Sequence, residues 1–308
     1  MTAFIYRKPF PGLVAFVIAF LSQWLGHGAW AFIRGVFGDW QQIASLGVGV
    51  VGAGLIWAGL KRSEVPATWM GFLGGLLVWV GWFEFTFEFY AEMFKIPEYT
   101  SPTGLPIFAG ATVLMATMPI MLALFLLYGI YNRQTKCNLI RWLHRNLHFD
   151  PGMPTADNGR SFARITAMET IFVTWACYQF WLYVGYMLSN NTIMVAYVAW
   201  TAWTGYILWK LLKIPRVGHA VRYGIPVGIV GWGVAEMPAH FGLYSEIWLK
   251  PFDYAITNSI MLCVFVAGLV YVARQPRMPS RPDVAGGGQR CATAAGSAQS
   301  GIRHEPPG

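Results

Sequence analysis

Of the 308 residues, 56% are hydrophobic, 16% are aromatic and only 12% are charged. A soluble domain is about a quarter charged, so this composition excludes a soluble globule and points to an all-α integral membrane protein. The formal charge of +8 does not indicate nucleic acid, because the Lys and Arg residues sit in short loops between apolar stretches and not in one patch.

Stretches of roughly 20 apolar residues can cross a bilayer. The sequence predicts eight such helices, at about 11–33, 42–60, 67–91, 105–131, 164–188, 192–212, 220–241 and 254–274. The first is long and lacks a small-residue cleavage site, so it reads as a retained helix and not a signal peptide. It carries Gln23 and His27 near its end. Gly47, Gly49, Gly52 and Gly54 in the second helix, and Gly71, Gly74 and Gly75 in the third, suit close helix packing. The third helix ends Val80-Gly-Trp-Phe-Glu84-Phe-Thr-Phe-Glu88-Phe-Tyr-Ala-Glu92, with a carboxylate at every fourth residue and therefore on one face.

After the fourth helix comes a basic segment, 132–163. Leu139, Trp142, Leu143 and Leu147 recur there at helical spacing, as expected for a short helix lying on anionic headgroups or docking a protein partner. The fifth helix holds Glu169, Tyr178 and Gln179. The seventh ends in Glu236 and His240, with Glu246 beyond, and Asn258 opens the eighth. The domain organisation that follows is a first membrane half (1–131), the basic cytoplasmic segment (132–163), a second membrane half (164–277) and a Gly-, Ala-, Ser- and Pro-rich tail (278–308) expected to be disordered. Cys137, Cys177, Cys263 and Cys291 form no paired motif, so neither a disulfide framework nor a zinc site is expected.

Alternating eight spans leaves all but Arg34, Lys95 and Lys250 of the 22 Lys and Arg residues on one side. Positive charge stays inside, so the expectation is an inner or plasma membrane protein with both termini cytoplasmic and both acidic helix ends outside. The basic segment also divides the helices into two sets of four. Each third helix contains Val-Gly-Trp, at 80–82 and 230–232, followed by acidic residues and then by Lys95-Ile-Pro-Glu98-Tyr99 or Lys250-Pro-Phe-Asp253-Tyr254. This predicts a parallel 4+4 repeat about an axis along the membrane normal. The alternative is that both outer loops simply favour aromatic and acidic residues.

Ionisable groups at membrane depth are costly and usually face a cavity, a partner or an ion. His27, Glu84, Glu88, Glu236 and His240 would suit Fe, Mn or Zn, and Cu less specifically, since no thiolate joins them. The spacing is Glu-x3-Glu and Glu-x3-His, not the Glu-x2-His of di-metal bundles. Alternatively, Glu88 and Glu92 are solvated, Thr86 and nearby tryptophans satisfy Glu84, and His27 bonds a backbone carbonyl. Glu169, Tyr178 and Gln179 would extend a proton or cation path inward. A b-type haem would need His27 and His240 to face each other across the core, and it is the less expected cofactor. Three functions remain open: a metal-binding membrane protein acting as an oxidoreductase on a small or lipophilic substrate, a proton- or cation-coupled small-solute transporter, and a non-catalytic subunit of a membrane complex. No nucleotide-binding, hydrolase or haem-attachment motif is present in the sequence.

Overall fold

The computed structural model describes residues 7–101, 104, 106–132, 134, 138–148, 160–250 and 252–275. The predicted tail, Cys137, Cys291 and residues 149–159 of the basic segment lie outside the described residues. The chain forms eleven α-helices among the described residues, most of them long apolar runs: α1 (Phe10–Phe37), α2 (Gln41–Gly59), α3 (Glu64–Val78), α4 (Phe85–Met93), α5 (Ala109–Ala116), α6 (Met118–Tyr131), α7 (Asn138–Asn146), α8 (Phe162–Met187), α9 (Asn190–Leu212), α10 (Val217–His240) and α11 (Ala255–Ala273). A 3-10 turn, Gly38–Trp40, separates α1 from α2, and Gly38 supplies the positive φ of 47° at that bend. These helices belong to one unit, Met1–Val272; the second, Ala273–Gly308, is described only as far as Gln275.

Two predicted helices are interrupted. The third is α3 and α4 joined by a π-helical turn, Trp79–Glu84. The fourth begins later than expected, because Pro106–Ile107 pairs antiparallel with Tyr99–Thr100 in a short hairpin, β1 to β2. It then bends by 44° between α5 and α6. Thr117 sits at that bend, just ahead of Pro119, which lacks the N–H needed to continue the helix.

Helix packing rests on small residues, as expected where lipid tails give no hydrophobic drive between helices. A Cβ on Gly224 would lie 2.7 Å from that of Ala15, and one on Gly228 would lie 2.5 Å from that of Ala19. Helices α1 and α10 therefore run in the same direction. So do α3 and α8, where Gly71 abuts the backbone of Ala163 and Gly75 that of Ala167. Helix α2 runs opposite to α3, with Gly59 on Met70, Gly52 on Gly74 and Gly49 on Trp82. Helix α9 runs opposite to α10: Trp200 Nε1 donates to the Val230 carbonyl at 2.9 Å and Tyr197 Oη to that of Val234 at 3.0 Å. Gly47 and Gly54, expected in the same role, meet nothing within 4 Å.

Among the described residues, three stretches are long and apolar enough to cross a membrane: Phe10–Gly59, which contains α1 and α2, Glu64–Met93, and Ala255–Ala273. The bent pair α5–α6 makes a fourth if it crosses as one. Outward faces are apolar, as with Val50 on α2, Ile120 on α6, Val195 on α9 and Ile256 on α11. That pattern suits lipid contact and supports a membrane protein. The interfacial helix expected in the basic segment corresponds to α7, whose Trp142 is about half exposed.

Candidate functional site

The acidic helix ends meet around a cavity of about 950 Å³. Its walls come from α1, the π turn with α4, α5, α8, α10 and the loop after α10. Ile229 to His240 line it along α10, a depth of roughly 16 Å at 1.5 Å per residue. Five tryptophans, Trp30, Trp79, Trp181, Trp232 and Trp248, form much of the apolar lining.

All five predicted ligand residues face this cavity, but four of them stand in separate ion pairs and Glu84 in none. His27 Nε2 lies 3.1 Å from Glu236 Oε1, across from α1 to α10. Tyr178 Oη lies 3.3 Å from the same nitrogen. That nitrogen can donate to Glu236 or accept from Tyr178, not both, so the trio has two hydrogen-bond arrangements that differ in where one proton sits. The imidazole is stacked on Trp232, with centroids 6.0 Å apart and planes 28° apart. The expected bond from His27 to a backbone carbonyl is replaced by this carboxylate pairing.

The remaining acids are placed differently. Glu88 approaches Arg34 at 3.9 Å, and the Arg34 guanidinium lies 4.6 Å over the ring of Trp30. His240 Nδ1 is 3.7 Å from Glu246 Oε1, and its ring meets Tyr186 edge-on. The neighbouring His240 holds the Glu246 carboxyl below its ordinary value, against an opposing push from burial. Glu84 lines the cavity near His27, Glu236 and Tyr178, with neither a hydrogen bond nor an ion pair to a described residue. Thr86, expected to satisfy it, donates instead to the Trp82 carbonyl at 2.5 Å. Among the described residues, no three His, Cys, Asp or Glu groups converge as metal ligands.

Of the predicted inward path, only Tyr178 joins the site. Gln179 Nε2 is spent on the Leu114 carbonyl at 2.6 Å, where it anchors α5 to α8. Glu169 is half-buried, toward the opposite end of α8. Asn258 braces the wall from behind: its Oδ1 accepts from Trp24 Nε1 at 2.6 Å and its Nδ2 donates to the Ile247 carbonyl.

Sequence reasoning missed Arg34 as the partner of Glu88, Cys177 in the cavity wall, and Trp79. It also missed a tie at the far end of the bundle, where Glu64 on α3 meets Arg216 and Arg222, each at 3.1 Å. A signal for Trp79 was available: Gly71-x3-Gly75-x3-Trp79 is matched by Gly224-x3-Gly228-x3-Trp232. Comparison of the chain with protein-family models, with curated proteins and with solved structures gave no match in any of the three.

Proposed function

We propose that the protein is an eight-pass transporter of a small solute, coupled to protons or cations, with its solute site in the outward-opening cavity. The observation that carries this reading is the position of the cavity between two matching helix ends. Parallel pairing of α1 with α10 and of α3 with α8 exchanges the first and third helices of one half with those of the other. A two-fold axis along the membrane normal relates halves in this way, and solute sites lie at such repeat interfaces.

The register supports the repeat more strongly than Val-Gly-Trp does. Matching Gly71, Gly75 and Trp79 to Gly224, Gly228 and Trp232 needs one constant offset. The π turn then accommodates one extra residue, and beyond it Glu84 matches Glu236 and Glu88 matches His240. The packing partners match too, since Ala15 and Ala19 stand to α10 as Ala163 and Ala167 stand to α3. Val-Gly-Trp is offset from this register: Gly81 abuts α2, whereas Gly231 abuts Phe16 of α1. Insertions of this kind recur at functional sites.

The two ends of the bundle differ in a way that suits alternating access. The cavity occupies the end with the acidic loops. The other end is closed by the small-residue contacts and by Glu64 bound to Arg216 and Arg222, which ties α3 of the first half to α10 of the second. The charge distribution supports both termini being cytoplasmic, with the cavity outward. The His27–Glu236–Tyr178 trio would carry the coupling proton. A resident metal is less well supported, because four of the five predicted ligands are already engaged in ion pairs.

The test is flux in proteoliposomes under an imposed inside-negative potential. The expected result is proton or cation entry with the wild type and at least tenfold less with Glu236→Gln. Equal flux in empty and protein-containing vesicles would contradict the proposal, and stoichiometric Fe, Mn or Zn in the purified protein would restore the metal reading.

A further inference from the structure

We infer that the cavity binds a small organic cation, seated at Glu84 within the aromatic wall; this rests on the reading above that the cavity is a solute site. Charge excludes the opposite sign. Six carboxylates, Glu84, Glu88, Glu92, Glu98, Glu236 and Glu246, line the cavity, against Arg34 and Lys95. With all six carboxylates ionised, the lining is net negative even when His27 and His240 are both protonated. Low-dielectric walls strengthen such a field and repel anions.

The cavity already holds two positively chargeable groups in the same manner. Arg34 lies over Trp30 beside the carboxylate of Glu88. His27 is stacked on Trp232 beside the carboxylate of Glu236. In each case an aromatic face and a carboxylate hold a cationic side chain, the arrangement that recognises organic cations in general. The third aromatic–carboxylate set is Trp79 with Glu84. Its register matches Trp232 with Glu236, but the rings stacked on Trp79 are Tyr178, with planes 25° apart, and Phe83, with planes 15° apart, each at a centroid distance of 5.7 Å. Where Trp232 meets the His27 imidazole, from the first half, Trp79 meets the Tyr178 phenol, from the second. Among the described residues, Glu84 therefore has no cation of its own comparable with that of Glu236.

An ionised carboxylate in this position must be protonated or neutralised by something that enters. An apolar-walled cavity of about 950 Å³ is large for a bare metal ion and suited to a molecule of drug-like size. Aromatic walls also favour a cation carried on carbon over a strongly hydrated one.

The experiment measures equilibrium binding of radiolabelled tetraphenylphosphonium and tetramethylammonium to the purified full-length protein, with tetraphenylborate as a shape-matched anion. At least one cation is expected to bind saturably at about one per chain, with its Kd raised tenfold or more by Glu84→Gln, while the borate does not saturate. A second readout uses the wild type alone: the bound cation should protect Glu84 from labelling by a hydrophobic carbodiimide. Binding of neither cation, equal binding of phosphonium and borate, or a cation Kd unchanged by Glu84→Gln with no protection of Glu84 would overturn the inference. Saturable cation binding without flux in vesicles would support the ligand and sink the transport reading. Proton flux without cation binding would do the reverse.

Discussion

At the scale of single residues, the behaviour of the site follows from pairing a charge at membrane depth. His27 and Glu236 are each mostly buried, at 16% and 20% side-chain exposure. Removing one partner leaves the other unpaired, a loss of about 3 kcal/mol for a buried pair. His27→Ala and Glu236→Ala should each destabilise the protein by that order, while the double variant loses less than the sum; denaturant unfolding in detergent micelles reads this cycle. Glu246 gives a pH dependence. Its folded value is depressed by His240, so its stabilising contribution is present above the ordinary carboxylate range and is lost as pH falls through the depressed value. Acid should therefore loosen the loop after α10, and Glu246→Gln should remove that acid step from the proteolysis rate of the loop.

At the scale of helices, close approach decides which glycines matter. Gly71→Ala would push a methyl group into the Ala163 backbone, and Gly228→Ala would push one into Ala19. Both should lower thermal stability by several degrees and reduce yield of the folded protein. Gly47→Ala meets nothing within 4 Å and should be neutral or slightly stabilising, by up to about 1 kcal/mol. The sequence made the helices and the acidic faces legible, because long apolar runs and four-residue spacing are direct signals. It concealed the π turn, because an extra residue in a helix has no composition of its own. Val-Gly-Trp therefore stood out as the common element, whereas the proposed repeat rests on the packed glycines and Trp79. Glu84 illustrates the same limit: its spacing put it on the right face, but the bond from the Thr86 hydroxyl back to the Trp82 carbonyl could not be read from the chain.

At the scale of the whole molecule, the helices enclose a cavity lined by carboxylates and aromatic rings, while Glu64 pairs with Arg216 and Arg222 at the other end of the bundle. The proposed eight passes with cytoplasmic termini predict that Lys250→Cys reacts with an impermeant maleimide on intact cells, whereas Lys61→Cys reacts only after the membrane is opened. If Glu64 with Arg216 and Arg222 holds the inner end shut, Glu64→Ala should expose cavity residues to cytoplasmic reagents. Long-range pairs of this kind, like His27 with Glu236, lie beyond sequence periodicity because they depend on how the halves meet.

Cys177 offers the most direct test, since it lines the cavity and is half-buried. With Cys137, Cys263 and Cys291 changed to Ser, a membrane-impermeant cationic methanethiosulfonate is applied to intact cells, alongside its anionic counterpart. An acidic outward cavity predicts labelling of Cys177 from outside, with the cationic reagent favoured about tenfold after correction for their rates with a free thiol. Labelling only from the cytoplasmic face, or a preference for the anionic reagent, would contradict an outward acidic cavity.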